Sequence, residues 1–157
     1  MKTKAIFFDR DDTLIHDSHY MHKKDQLQFI DGVFEILQKL QEMGYLLFVV
    51  TNQSGVGRGY FTIEQMHEFH DYFSEKLLEK NIQIKEIAFC PHAPIEKCDC
   101  RKPMPKLIND LCQKYNIDKS QSIMVGDRES DIKAGEAAGV KTFLVEDNNL
   151  NNLLSIV

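Results

Sequence analysis

The sequence predicts an α/β fold, a doubly wound parallel sheet with helices on both faces, and two observations carry that prediction. Short apolar runs alternate with amphipathic segments five times along the 157 residues, the order that builds right-handed strand–helix–strand crossovers. The longest apolar run, Tyr45-Leu46-Leu47-Phe48-Val49-Val50, is apolar throughout, as a strand buried on both faces should be. Ligands of such sheets sit outside the carboxyl ends of the strands, so the residues that follow each strand matter most.

Lys4-Ala5-Ile6-Phe7-Phe8 is the first strand, and it stops abruptly at Asp9-Arg10-Asp11-Asp12-Thr13. The next stretch, His16-Asp17-Ser18-His19-Tyr20-Met21-His22, has no clear period and reads as a loop or irregular hairpin. Its three histidines lack metal-ligand spacing, which favours a cleft-lining or solvated loop. Val33, Leu37, Leu40 and Met43 recur at helical spacing and predict a helix over 31–43, with Asp31 as N-cap and Gly44 as C′ residue. The second strand, 45–50, runs into Thr51-Asn52-Gln53-Ser54 and then Gly55-Val56-Gly57-Arg58-Gly59. The third glycine comes one residue early for a dinucleotide loop, so this reads as a flexible active-site turn. Thr62-Ile63-Glu64-Gln65 is a capping-box start, and Met66, Phe69, Phe73 and Leu77 give the following helix a core-facing stripe. A third strand over 84–89 leads into a Pro- and Cys-rich loop over 90–105. Leu107, Leu111 and Tyr115 place a helix over 106–115, with Cys112 on its apolar face as a buried hydrophobe. A fourth strand over 122–126 ends at Asp127, a helix over 130–138 is stopped by Gly139, and a fifth strand spans 140–145. A small terminal helix is expected over 150–157. With no repeat, linker or low-complexity tract, 1–157 reads as a single domain.

Hydrophobic residues at 43% and charged residues at 27% are ordinary for a globular protein, and the net charge of −5 gives no basic footprint for nucleic acid. No apolar run reaches membrane-spanning length. Met1-Lys2-Thr3-Lys4 passes into the first strand without a signal-peptide core, so a cytoplasmic protein is expected. Asn52-Gln53-Ser54 matches a glycosylation pattern that has no meaning without secretion. In a reducing compartment Cys90, Cys98, Cys100 and Cys112 point to metal or catalysis rather than disulfides.

Three carboxylates in four positions, Asp9, Asp11 and Asp12, resist desolvation unless positive charge sits among them. Alone they fit either a cation site or a solvated acidic turn. Thr51, Asn52 and Asp127 at other strand ends favour the site. Asp9, Asp11 and Asp127 suit a hard cation such as Mg²⁺, which takes few protein carboxylates and leaves room for water and phosphate. Such charge compensation would let an anionic carboxylate approach phosphorus. Thr51 can bond a phosphoryl oxygen, Lys102 adds positive charge, and Asp131 can support the metal or Lys102. Positioning and charge compensation are most of what phosphoryl transfer needs. Separately, Cys90, His92, Cys98 and Cys100 lie within eleven positions and suit a closed, four-coordinate structural Zn²⁺ site that would steady Arg101 and Lys102.

These motifs resemble the haloacid dehalogenase superfamily, chiefly phosphatases. They are Asp9-Arg10-Asp11-Asp12-Thr13, Thr51, Lys102 and Gly126-Asp127-Arg128-Glu129-Ser130-Asp131, in order over almost the whole chain. The resemblance implies a Rossmann-like sheet without a large cap domain, Asp9 as a nucleophile forming an aspartyl-phosphate, and Asp11 as general acid and then base. Asp12 stands where the closest relatives usually carry Gly, a departure that bears on the local backbone and charge. Asp is among the non-glycine residues better able to take positive φ. The Cys-x-His-x5-Cys-x-Cys-Arg-Lys-Pro loop is similar to the branch holding histidinol-phosphate and D-glycero-D-manno-heptose 1,7-bisphosphate phosphatases. The short loop is more like the former. Tyr20, Phe29-Ile30-Asp31-Gly32-Val33, Val49-Val50-Thr51-Asn52-Gln53-Ser54-Gly55 and Arg58-Gly59-Tyr60-Phe61-Thr62 are more like the heptose enzymes. This likeness implies a sugar bisphosphate substrate contacted by Asp17, Ser18, His19, Tyr20, Thr51, Asn52, Gln53, Ser54, Arg101, Lys102 and Arg128, with a second phosphate for Arg101 and Arg128. A monomer is expected. Histidinol phosphate is the alternative substrate, and a non-catalytic zinc-stabilised sugar-phosphate binder the alternative of another class.

Overall fold

The computed structural model describes residues 2–157; Met1, where the expected leaderless N-terminus starts, lies outside them. Strands β1 (Ala5–Phe8), β2 (Leu46–Asn52), β3 (Ile84–Cys90), β4 (Ile123–Gly126) and β5 (Lys141–Leu144) form one sheet in the order β3-β2-β1-β4-β5. Every pairing is parallel, as predicted. The chain winds outward from β1 through β2 to β3, then returns to the other side of β1 for β4 and β5. The order therefore reverses beside β1, and a crevice opens at the carboxyl ends of β1 and β4. Among the described residues no second sheet stands over it.

Helices α1 (Val33–Glu42), α2 (Ser54–Gly57), α3 (Ile63–Leu78), α4 (Lys106–Tyr115) and α5 (Glu129–Ala138) connect or flank the strands. All four residues of β1 are fully buried. Alternate side chains go to opposite faces: Ile6 and Phe8 join the layer under α1 and α3, while Ala5 and Phe7 join the layer under α4 and α5. The α3 stripe Met66, Phe69, Phe73 and Leu77 is buried. Its capping box is formed, with Gln65 N donating to Thr62 Oγ1 at 3.1 Å and Thr62 N to Gln65 Oε1 at 2.8 Å.

Several local expectations change. The N-cap of α1 is Gly32, at φ 84°, not Asp31, while Gly44 at φ 93° ends the helix as predicted. Thr51 and Asn52 are the last residues of β2 rather than loop, because they pair with Phe89 and Cys90 of β3. The glycine-rich stretch begins with the single turn α2. In α4 the buried face is Ile108, Leu111 and Cys112, with Leu107 and Tyr115 packed at its margin. An Ile15–Phe29 bridge makes the histidine-bearing stretch part of an irregular hairpin. The terminal helix is a short 3-10 segment, Asn151–Ser155. No helix among the described residues is long and apolar enough to cross a membrane.

Candidate active site

β1 delivers Asp9 into the crevice, and its backbone N–H donates to Val125 O of β4 at 2.8 Å. Opposite stands Lys102, only 4% exposed. Its Nζ lies 2.7 Å from Asp9 Oδ1 and 2.6 Å from Asp131 Oδ1, and it donates to Val50 O at 2.8 Å. Asn52 fixes this lysine through its backbone, accepting from Lys102 N at 3.0 Å. Thr51 is buried, with its hydroxyl accepting from Gln53 Nε2 at 2.9 Å.

Burial pushes the Asp9 carboxyl well above the ordinary carboxylate range; Lys102 opposes this, and Asp131 and Asp11 add to it. Burial would lower Lys102, but Asp9 and Asp131 outweigh it and the ammonium is held more firmly protonated than usual. Asp127 is likewise pushed up, mainly by burial. Carboxylate oxygens of Asp9, Asp127 and Asp131 lie within 4.8 Å of one another. Three carboxylates against the Lys102 ammonium leave two negative charges in excess, and Asp127 Oδ1 is buried with no hydrogen-bond partner among the described residues. Oxygen donors, excess negative charge and an unsatisfied buried oxygen together fit a divalent cation. Gly126 permits this packing, since a Cβ there would collide with the Asp131 side chain.

The sequence grouped Asp11 with Asp9 and Asp127. In the structure the third carboxylate of that cluster is Asp131, in the first turn of α5. The Asp11 carboxylate instead faces Arg10, accepting from Nε at 2.8 Å and from Nη2 at 3.1 Å. Arg10 is a charged residue that sequence reasoning passed over, although a guanidinium inside an acidic run directly after a buried strand was the available signal.

An inner cavity of about 170 Å³ is lined by Asp9, Thr51, Lys102, Ser130 and Asp131. An adjoining one of about 300 Å³ is lined by Arg10, Asp17, His19, Tyr20, Gln53, Ser54, Gly55 and Arg58. Asp11, Asn52, Arg101 and Arg128 line both. Ser18 is exposed and lines neither. Arg58 was not among the expected contacts. Arg101 Nη1 is buried and unpaired among the described residues, so an anionic ligand would satisfy it.

Beside the crevice, ligand atoms of Cys90, His92, Cys98 and Cys100 lie within 4.8 Å of one another, close enough to hold a metal ion. His92 Nδ1 is 3.3 Å from Cys100 Sγ, and Cys90 Sγ is 3.4 Å from Cys98 Sγ. The Cys90 and Cys100 sulfurs are also in contact. All four side chains expected as ligands are thereby brought together, and three thiolates with one imidazole suit a metal ion.

The chain belongs to the haloacid dehalogenase-like hydrolases, whose family pattern matches residues 9–145. Among its relatives is the D-glycero-beta-D-manno-heptose-1,7-bisphosphate 7-phosphatase of Pasteurella multocida. It is 45% identical over 150 residues, a match covering 91% of this chain and 82% of that protein. The Helicobacter pylori (strain J99) protein of the same name is 42% identical over 147 residues, covering 93% of this chain and 84% of the other. The crystal structure of D,D-heptose 1,7-bisphosphate phosphatase from B. bronchiseptica, complexed with magnesium and phosphate, superimposes with a TM-score of 0.86. It is 30% identical, over 98% of this chain and 87% of that one.

Proposed function

We propose that residues 1–157 form a single catalytic domain, a Mg²⁺-dependent phosphatase. It removes the 7-phosphate of D-glycero-D-manno-heptose 1,7-bisphosphate as a monomer in the cytoplasm, on the way to activated heptose for bacterial surface polysaccharide. The names of the relatives support the substrate. The observation that carries the chemistry is Asp9, a buried carboxylate at the switch point of the sheet, 2.7 Å from the Lys102 ammonium.

In this reading the 7-phosphate occupies the inner cavity, with the Thr51 hydroxyl and Lys102 on its oxygens. An Asp9 oxygen forms a bond to phosphorus as the bond from phosphorus to the sugar oxygen breaks. Asp11, at the boundary between the two cavities, gives that oxygen its proton and the alcohol leaves. The Asp11 carboxylate then takes a proton from a water whose oxygen attacks phosphorus, which releases phosphate and restores the Asp9 carboxylate. Asp9 and Asp127 would hold Mg²⁺ with Asp131 beside them, and the ion supplies neutralisation of the phosphoryl oxygens. The sugar and its remaining phosphate would lie in the outer cavity against Arg58, Arg101 and Arg128, with Asp17, His19 and Tyr20 opposite. Cys90, His92, Cys98 and Cys100, reduced, would hold a structural Zn²⁺.

Phosphate release is to be compared on the α- and β-anomers of the heptose bisphosphate and on histidinol phosphate, with and without Mg²⁺. Release is expected on a heptose bisphosphate, only with Mg²⁺. Folded Asp9→Asn is expected at least about 1,000-fold slower, as for loss of a nucleophile. Full turnover in that variant would overturn the role of Asp9, and faster hydrolysis of histidinol phosphate would overturn the substrate.

A further inference from the structure

Arg10 is the largest fully buried side chain of the protein, and the reaction described above does not use it. Burying a guanidinium is costly unless its donors are satisfied. Here Nε and Nη2 form a fork on the two oxygens of Asp11. The remaining arm, Nη1, lies 3.1 Å from His70 Nε2 of α3. The face of the guanidinium rests 5.0 Å from the Phe69 ring centroid. A guanidinium only donates, so His70 Nε2 carries the lone pair that accepts this bond, its proton sits on Nδ1, and the ring is neutral. The Arg10 side chain is 2% exposed; where it borders the outer cavity, its Nε–Nη2 edge is already taken by Asp11 and its Nη1 by His70.

We propose that Arg10, braced by His70, is a positioning residue that holds the Asp11 carboxylate at the boundary between the phosphate cavity and the sugar cavity, and so governs proton transfer to the leaving alcohol. The inference rests on Asp11 being the general acid. A two-point fork fixes the plane of a carboxylate as well as its place. Without its third contact the fork can turn about its stem. Asp11 follows Arg10 directly in the chain, so the fork cannot hold Asp11 by tethering distant segments. What it controls is a rotamer, and His70 controls the fork from an element 60 residues away. α3 is thereby connected to the chemistry although none of its residues lines either cavity.

The test compares two substrates. D-glycero-β-D-manno-heptose 1,7-bisphosphate releases an alkoxide that needs a proton; p-nitrophenyl phosphate releases a phenolate that does not. His70→Leu removes the acceptor. On the heptose bisphosphate, kcat is expected to fall about 10- to 100-fold with KM within about threefold, since misplacing a catalytic group by about 1 Å costs on that order. The first-turnover burst of nitrophenolate should change less than about threefold. His70→Gln, whose amide oxygen can accept the same bond, should recover most of the lost kcat. Arg10→Lys keeps the charge without the fork and should reproduce the selective loss, which also covers the case in which His70→Leu does not fold. Equal losses on both substrates, or none, would overturn the positioning role. An active Asp11→Asn on the heptose bisphosphate would remove the underlying assignment of Asp11, and the inference with it. A dead Asp11→Asn beside uniform losses in the other variants overturns this inference alone.

Discussion

Lys102 lies between two carboxylates, Asp9 and Asp131, and all three are almost wholly buried. Removing one partner of a buried ion pair leaves uncompensated charge and costs about 3–5 kcal/mol. Lys102→Met keeps the length without the charge. It is expected to lower the thermal midpoint measured without Mg²⁺ and to reduce phosphate release at least about 100-fold. An unchanged midpoint would show that the pair carries no such weight. His70 makes a separate, pH-dependent contribution. Burial, then the Arg10 cation and His67, lower its imidazole from the ordinary 6.5 to about 3. Between those values the unfolded chain binds a proton that the folded chain does not. The contribution of His70 is therefore fully present above about pH 6.5 and is lost at about 1.4 kcal/mol per pH unit as the pH falls towards 3. Urea titrations at pH 7.0 and 5.5 should differ accordingly, and His70→Gln should flatten the difference. Asp12, where relatives usually carry Gly, ties the opening motif to the loop that follows it. It sits at φ 58°, as the resemblance to glycine-bearing relatives implied, and its Oδ1 accepts from Asp17 N at 3.1 Å. That bond pins the start of the 17–20 loop, a tie glycine could not make.

The elements differ in how far the sequence declared them. α4 has its predicted bounds, and α3 its predicted cap and stripe, because both rest on local hydrogen bonding and one apolar face. α2 was missed because its four residues are held from outside. Gly57 N donates to Pro91 O at 2.8 Å, and a Cβ on Gly57 would strike the Ala93 backbone. The turn after β2 is thus moulded on the cysteine-bearing loop after β3. That loop also carries Arg101 and Lys102 into the crevice. Reduced protein stripped of metal is expected to keep its sheet and helix signals in circular dichroism, to lose turnover about 10-fold or more, and to be cut faster by protease within 91–101. Full activity in metal-free protein with all four thiols titratable would show that the loop holds itself.

At the scale of the molecule, alternation of strands and helices was enough to foresee a parallel sheet with Asp9, Thr51 and Asp127 at neighbouring strand ends. It was not enough for the strand order, which depends on which buried faces meet. Side-chain direction was hidden for the same reason. Asp11 and Asp131 are each close in sequence to the residues they were grouped with. The burial of Arg10 turned Asp11 away, and the absence of a Cβ on Gly126 let Asp131 in. Arg10 and His70 were illegible as a pair because nothing local links positions 60 residues apart.

The place of β1 has a consequence for the order in which the chain is made. β1 leaves the ribosome well before β4, yet β4 is one of its two neighbours, and Ala5 N donates to Ser122 Oγ, 117 residues later, at 2.9 Å. A growing chain that has reached only β3 carries β1 as a bare edge, with Asp9 still awaiting Lys102 and Asp131. Such long-range closure is slow and exposes unpaired strand while it waits. A message truncated before β4 therefore encodes an apolar half-sheet suited to aggregation.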